Sequence, residues 1–211
     1  MPEPLRDIDP ARVRDNLQRV RERCDPGVEI LAATKYVDAA DLGALAEAGV
    51  GLVGENRLQD LEAKRERHAD AFTWDFIGNL QSRKVKALIP RVRLIHSLAS
   101  DSALEQLGRH APPETEVLVE VNVAGEDSKG GIQPAALGDF ISRSPVRVVG
   151  LMAMPPFTQN PEDSRPHFAK VAELAAEHGL SRLSMGTSQD WEVALDEGAT
   201  IIRLGTTLYA R

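Results

Sequence analysis

Short apolar runs alternate along this chain with stretches in which apolar residues recur every three or four positions. The runs span residues 29–35, 50–54, 73–78, 92–97, 117–123, 146–152, 183–186 and 200–205. Each has the length of a buried strand, and helical signals fill most of the gaps between them. A helix precedes the first run. Asp9 can cap it and Pro10 fits its first position, while Val13, Leu17, Val20 and Cys24 share one face and arginines cover the other. Later, Asp38 precedes Leu42, Leu45 and Ala46, with Gly49 as the stop. Asp101 precedes Leu104 and Leu107, and Phe168, Val171, Leu174 and Ala175 recur before Gly179. No break in composition interrupts this alternation. It predicts a single α/β domain over residues 1–211, a (β/α)8 TIM-type barrel with an extra N-terminal helix. A doubly wound open sheet is the competing architecture on pattern alone. At 211 residues the chain is short for a barrel, so its loops must be tight.

Composition narrows the class. The net charge of −7 and pI of about 5.3 argue against a nucleic-acid or membrane-surface protein, which carries a basic face. A small anion needs only a local positive site and is still allowed. Cys24 is the only cysteine, so no internal disulfide forms and a reducing, cytoplasmic setting is expected. Met1 to Pro10 lacks the apolar stretch of a signal peptide, and no run approaches the ~18 apolar residues of a membrane span. No exposed apolar helix announces a large interface, so a monomer is expected.

The chemistry-bearing residues gather at the ends of the runs. Lys35 ends the first, Glu55 and Asn56 follow the second, and His96 ends the fourth. Asn122 lies near the end of the fifth and Met152 ends the sixth. Residues 184–188 cover the seventh and 203–206 the eighth. In a parallel barrel these ends form one face, which carries the active site. Lys35 follows the apolar run Ile30-Leu31-Ala32-Ala33-Thr34. A lysine entering a barrel mouth loses hydration, which favours its neutral, nucleophilic amine; the alternative is a lysine that snorkels into water. The turns Ser184-Met185-Gly186-Thr187-Ser188 and Arg203-Leu204-Gly205-Thr206-Thr207 offer hydroxyls and backbone N–H groups suited to a phosphate. Either turn could instead be an ordinary glycine turn with capping hydroxyls.

These residues also carry a resemblance. Ala33-Thr34-Lys35, Gly54-Glu55-Asn56, Phe76-Ile77-Gly78-Asn79-Leu80-Gln81-Ser82, His96-Ser97, Val121-Asn122-Val123, Gly150-Leu151-Met152, Ser184-Met185-Gly186-Thr187-Ser188-Gln189-Asp190 and Arg203-Leu204-Gly205 occur in order. The chain resembles the pyridoxal phosphate homeostasis family, also called the YggS or PROSC family, from about residue 10 onward. That family is similar to the barrel domain of alanine racemase and of fold-type III decarboxylases. The resemblance implies pyridoxal 5′-phosphate (PLP) held as a Schiff base on Lys35. It implies Arg203 facing the pyridine nitrogen, with Ser188, Gly205 and Thr206 at phosphate positions and Thr187 beside them. Asn56 and Met185 match positions lining the cofactor ring. His96 lies in a family motif without a matched role. The chain departs from many relatives at Val37, where they carry a second lysine, and at Asp75 and Asn79, where they carry histidines. Lys129 falls in a loop where relatives also carry lysine, as a transient second amine or a solvated one.

The function implied is a PLP carrier and buffer rather than an enzyme. It would hold free PLP, limit its aldehyde chemistry and pass it to PLP-dependent apo-enzymes in transient contact. A charged arginine beside the pyridine nitrogen disfavours protonation there and weakens the carbanion sink. Alanine racemase compensates with a tyrosine from a second domain, and no counterpart of that domain is expected here. Tyr36 should point away from the mouth if the first strand persists through it. Two alternatives stay open: a PLP-dependent amino-acid racemase-like enzyme, and a Schiff-base aldolase without PLP.

Overall fold

A computed structural model of the chain describes residues 5, 7–125 and 130–209. Lys129, the candidate second amine, lies outside the described residues. The elements follow in the order α1 (Pro10–Arg21), β1 (Glu29–Ala33), α2 (Leu42–Glu47), β2 (Leu52–Glu55), α3 (Leu58–His68), β3 (Thr73–Phe76), α4 (Val85–Leu88), β4 (Leu94–Leu98), α5 (Asp101–His110), β5 (Glu116–Glu120), α6 (Leu137–Ser142), β6 (Arg147–Met152), α7 (Arg165–Glu177), β7 (Arg182–Thr187), α8 (Trp191–Asp196), β8 (Ile201–Leu204) and α9 (Thr206–Tyr209). All strand pairs are parallel, and β1 pairs with both β2 and β8, so the sheet closes into an eight-stranded barrel. That closure excludes the open doubly wound sheet. No helix among the described residues is long and apolar enough to cross a membrane.

The local chemistry explains the elements. Asp9 accepts a hydrogen bond from the Ala11 N–H at 3.0 Å, Pro10 opens α1, and Val13, Leu17 and Val20 are buried. Each of those side chains contributes roughly 1.5–3 kcal/mol by leaving water. Alternate strand residues point to opposite sides of the sheet. One set packs outward against the helices in the larger core. The other set meets inside the barrel, where Leu31, Leu94, Leu118, Met152 and Ile201 form a separate apolar cluster.

β1, β3, β5 and β8 stop short of the C-terminal ends of their apolar runs, whereas β2, β4 and β7 extend slightly past theirs. β1 stops at Ala33, because the Val37 N–H bonds the Thr34 carbonyl at 2.8 Å and turns the chain. Lys35 and Tyr36 occupy that turn and are both exposed. The expectation that Lys35 loses its hydration on entering the mouth is therefore not met in this structure. The condition under which Tyr36 would point away, a strand running through it, does not hold; the Lys35 ammonium lies 4.7 Å from the centroid of the Tyr36 ring.

Candidate cofactor-binding site

Ser188 joins the ends of β7 and β8. Its hydroxyl oxygen accepts the N–H groups of Gly205 and Thr207, both at 3.1 Å, and the Thr207 hydroxyl donates back to the Ser188 carbonyl at 3.4 Å. The β7 turn is built by Asp190, whose carboxylate accepts the Thr187 N–H at 2.8 Å, the Thr187 hydroxyl at 3.1 Å and the Ser164 hydroxyl at 2.9 Å. Gly186 is needed there. Its φ is +86°, and a Cβ would lie 2.6 Å from the Ala194 Cβ. Gly205 is different: the nearest atom to an added Cβ is the Ala33 carbonyl oxygen at 3.9 Å, so a side chain would enter open space. Thr206 is exposed beside it.

The strand end carrying Lys35 is clamped from behind. The Ala33 carbonyl accepts the Tyr209 hydroxyl at 3.3 Å, and the Thr34 carbonyl accepts the Lys64 ammonium at 2.7 Å. Lys64 also pairs with Glu55, and the Thr34 hydroxyl bonds the same Glu55 oxygen at 2.5 Å. In this group Thr34, Glu55 and Lys64 are buried and Tyr209 is half-buried; loss of hydration raises the Tyr209 phenol well above its ordinary range, with the Glu55 charge adding to the effect. A cavity of about 580 Å³ opens beside it, lined by Lys35, Tyr36, Asn56, Arg57, Asp60 and Lys64 among others. The Asn56 Oδ1 is buried without a hydrogen-bond partner among the described residues.

Arg203 points inside the barrel and is 5% exposed. Its Nη1 donates to the Ser184 carbonyl (2.6 Å) and hydroxyl (2.5 Å). Its Nη2 donates to the Ala153 carbonyl (2.9 Å) and approaches the Met154 sulfur at 3.2 Å. Burial pushes its pKa down to about 10, opposed by Glu120 and Asp190, so it stays charged at neutral pH. Burial raises the Glu120 carboxyl, with Arg203 opposing. Behind Arg203, His96 Nδ1 lies 2.8 Å from the Ser184 hydroxyl, and His96 Nε2 lies 3.1 Å from Asp75 Oδ2. Asp75 accepts two N–H groups of Arg93, at 3.0 and 2.6 Å, and Arg93 bridges on to Glu29.

Of the residues proposed from sequence, the structure gathers Arg203, Gly205, Thr206, Thr187 and Ser188 around the ends of β7 and β8. Lys35 and Asn56 lie at the ends of β1 and β2. The two groups adjoin because β1 pairs with β8, with Ala32 level with Leu204. Met185 does not join them. It is fully buried in the outer core, because Ser184 faces inward and the next residue on a strand must face outward. Thr187 spends its hydroxyl on Asp190 and acts as a turn builder. Lys64, Arg93 and Glu120 were missed by the sequence reading. Lys64 and Arg93 look like ordinary surface charges there. Glu120, however, is a charge inside the apolar run 117–123, which is the signal that could have singled it out.

Comparison with known proteins decides the family. The model of the alanine racemase N-terminal domain matches residues 8–211. The chain is 40% identical to the pyridoxal phosphate homeostasis protein of Aquifex aeolicus, an alignment covering 94% of this chain and 95% of that protein. The chain belongs to the pyridoxal phosphate homeostasis protein family. The structure of PipY from Synechococcus elongatus with PLP bound superposes with a TM-score of 0.82 at 31% identity, covering 94% of this chain and all of that one. The alanine racemase of Corynebacterium glutamicum, at 14% identity and a TM-score of 0.76, shares the fold over 97% of this chain and 61% of its own.

Proposed function

We propose that this chain binds PLP, with Lys35 as its covalent anchor, and holds it for release to PLP-dependent apo-enzymes. The observation that carries the reading is the meeting of an exposed amine and a glycine turn where the barrel closes. Lys35 follows β1 and Gly205 follows β8, side by side. The surrounding residues fit such a ligand. Open space faces Gly205, backbone N–H groups of the β8 turn converge on Ser188, and the buried Asn56 oxygen lacks a partner among the described residues. PipY with PLP bound and the named relatives support the same ligand.

When bound, PLP supplies an aldehyde carbon that an amine can hold and a ring whose electron-withdrawing power rises with protonation of its nitrogen. The residues of this chain set the rest. Lys35 provides the amine. Ser188 and Thr206 offer hydroxyl donors to a phosphate, and the Gly205 N–H becomes a further donor if it exchanges the Ser188 oxygen for the ligand. The Arg203 cation, which the resemblance puts at the ring nitrogen, disfavours a proton there. Tyr36 stands beside Lys35 but in water, so no closed acid–base pair surrounds the amine. These features favour a carrier over a racemase.

The test compares transfer with turnover. PLP-loaded protein should restore a PLP-free transaminase, and should protect PLP from a scavenging amine better than free solution does. Exchange of the alanine α-proton in deuterated water should stay at the free-PLP background. Exchange far above that background, lost in Lys35→Ala, would establish an enzyme and overturn the carrier reading.

A further inference from the structure

We propose that Asp75 and His96 are positioning residues, acting through Ser184 to hold the Arg203 guanidinium in one orientation at the barrel mouth. The inference uses the PLP reading only to say what Arg203 would face. Its core is a proton accounting along one chain of contacts.

Asp75 is fully buried and receives two N–H groups from Arg93. Its own burial opposes ionisation, but the His96 and Arg93 bonds outweigh it and hold the carboxyl below its ordinary value. An ionised carboxylate can only accept. The His96 Nε2 facing it must therefore carry the proton. Burial disfavours the imidazolium, with the Arg203 and Arg93 charges adding to that and Asp75 opposing. The ring is thus neutral and its Nδ1 is a lone pair. The Ser184 hydroxyl must donate to that lone pair, which leaves its oxygen as an acceptor for Arg203 Nη1. Every hydrogen from Asp75 to Arg203 is placed by the ionisation of one carboxylate.

The consequence falls on the guanidinium. Nη1 is occupied twice by Ser184, and one Nη2 hydrogen is held by the Ala153 carbonyl. Among the described residues, the other Nη2 hydrogen meets only the Met154 sulfur, a weak acceptor on a residue that is 54% exposed. The framework thereby leaves two hydrogens of Arg203 for a ligand acceptor, this Nη2 hydrogen once the thioether is displaced and the Nε hydrogen. A neutral side chain in place of Asp75 would bring no fixed charge, and the chain would have no set direction.

The test has two arms. In the unloaded protein, nitrogen NMR of the imidazoles, with His96→Gln used for assignment, should show His96 neutral and protonated on Nε2 between about pH 6 and 8. An imidazolium, or a proton on Nδ1, would overturn the proposal whether or not PLP binds. In the loaded protein, Asp75→Asn and Ser184→Ala should each shift the pH dependence of the bound-PLP absorption by about one unit or more, a tenfold change in that equilibrium. Borohydride fixation on Lys35 should be retained. Leu118→Met, a change inside the barrel but off the chain, should leave the pH dependence in place. Spectra of Asp75→Asn and Ser184→Ala that match the wild type would also overturn the proposal. If the first arm succeeds and wild-type protein takes up no PLP, the cofactor reading fails while the arrangement of Arg203 stands.

Discussion

Lys35 is an exposed amine on a rigid support, and the support is what the residue scale adds. Two carbonyls just before it are taken by side chains from distant segments, Tyr209 and Lys64. The amine can therefore be reached by solvent while its backbone is fixed. Lys35→Ala should abolish fixation of PLP by borohydride, and persistent labelling would identify another lysine as the anchor. Lys64 tests the support. Lys64→Met strands the buried Glu55 charge, and unfolding in urea should show a loss of about 3–5 kcal/mol. Adding Glu55→Gln removes the stranded charge and should recover much of that loss. An exposed, unimportant pair would give less than about 1 kcal/mol.

At the scale of elements, the turns after β7 and β8 act as one unit, because the Ser188 hydroxyl holds N–H groups of the other turn. Ser188→Ala should weaken PLP binding by roughly 1–3 kcal/mol, the cost of leaving polar partners unmet. Pyridoxal, which lacks the phosphate, should bind far more weakly than PLP in the same titration. The elements themselves were readable from the apolar runs, since parallel barrel strands are buried on both faces. Their inner contents were less so. Asp75 in Thr73-Trp74-Asp75-Phe76 reads as the polar face of a half-exposed strand, whereas in the barrel it is enclosed and must find partners. Those partners lie 18 and 21 residues away, and the chain continues from His96 to Ser184 across 88 more. A single sequence does not display such pairings. The misplacement of Met185 was avoidable: once Arg203 and Ser184 face inward, strand parity sends Met185 outward.

For the whole molecule, the same enclosed residues set the response to acid. His96 in the folded barrel resists protonation, while in the unfolded chain it titrates near 6.5. The unfolded chain then binds more protons, so stability is complete above that pH and falls below it, by up to about 1.4 kcal/mol per pH unit for one proton. Asp75, held low, adds a loss only when pH falls below about its ordinary 3.8. Glu120 is raised and works in the opposite sense just above 4.5, where rising pH costs stability. Melting curves between pH 7 and 5 should show Tm falling with acid, and His96→Gln should flatten that slope even if it lowers Tm throughout. An equal slope in the variant would assign the acid response elsewhere. The pairing of β1 with β8 has a consequence of a different kind. Lys35 and Gly205 belong to the first and last staves of the ring, so no partial ring brings them together. Cofactor capture would then be all-or-none with respect to assembly, and a chain still emerging during synthesis could not draw on the pool of free PLP until its final strand had locked home.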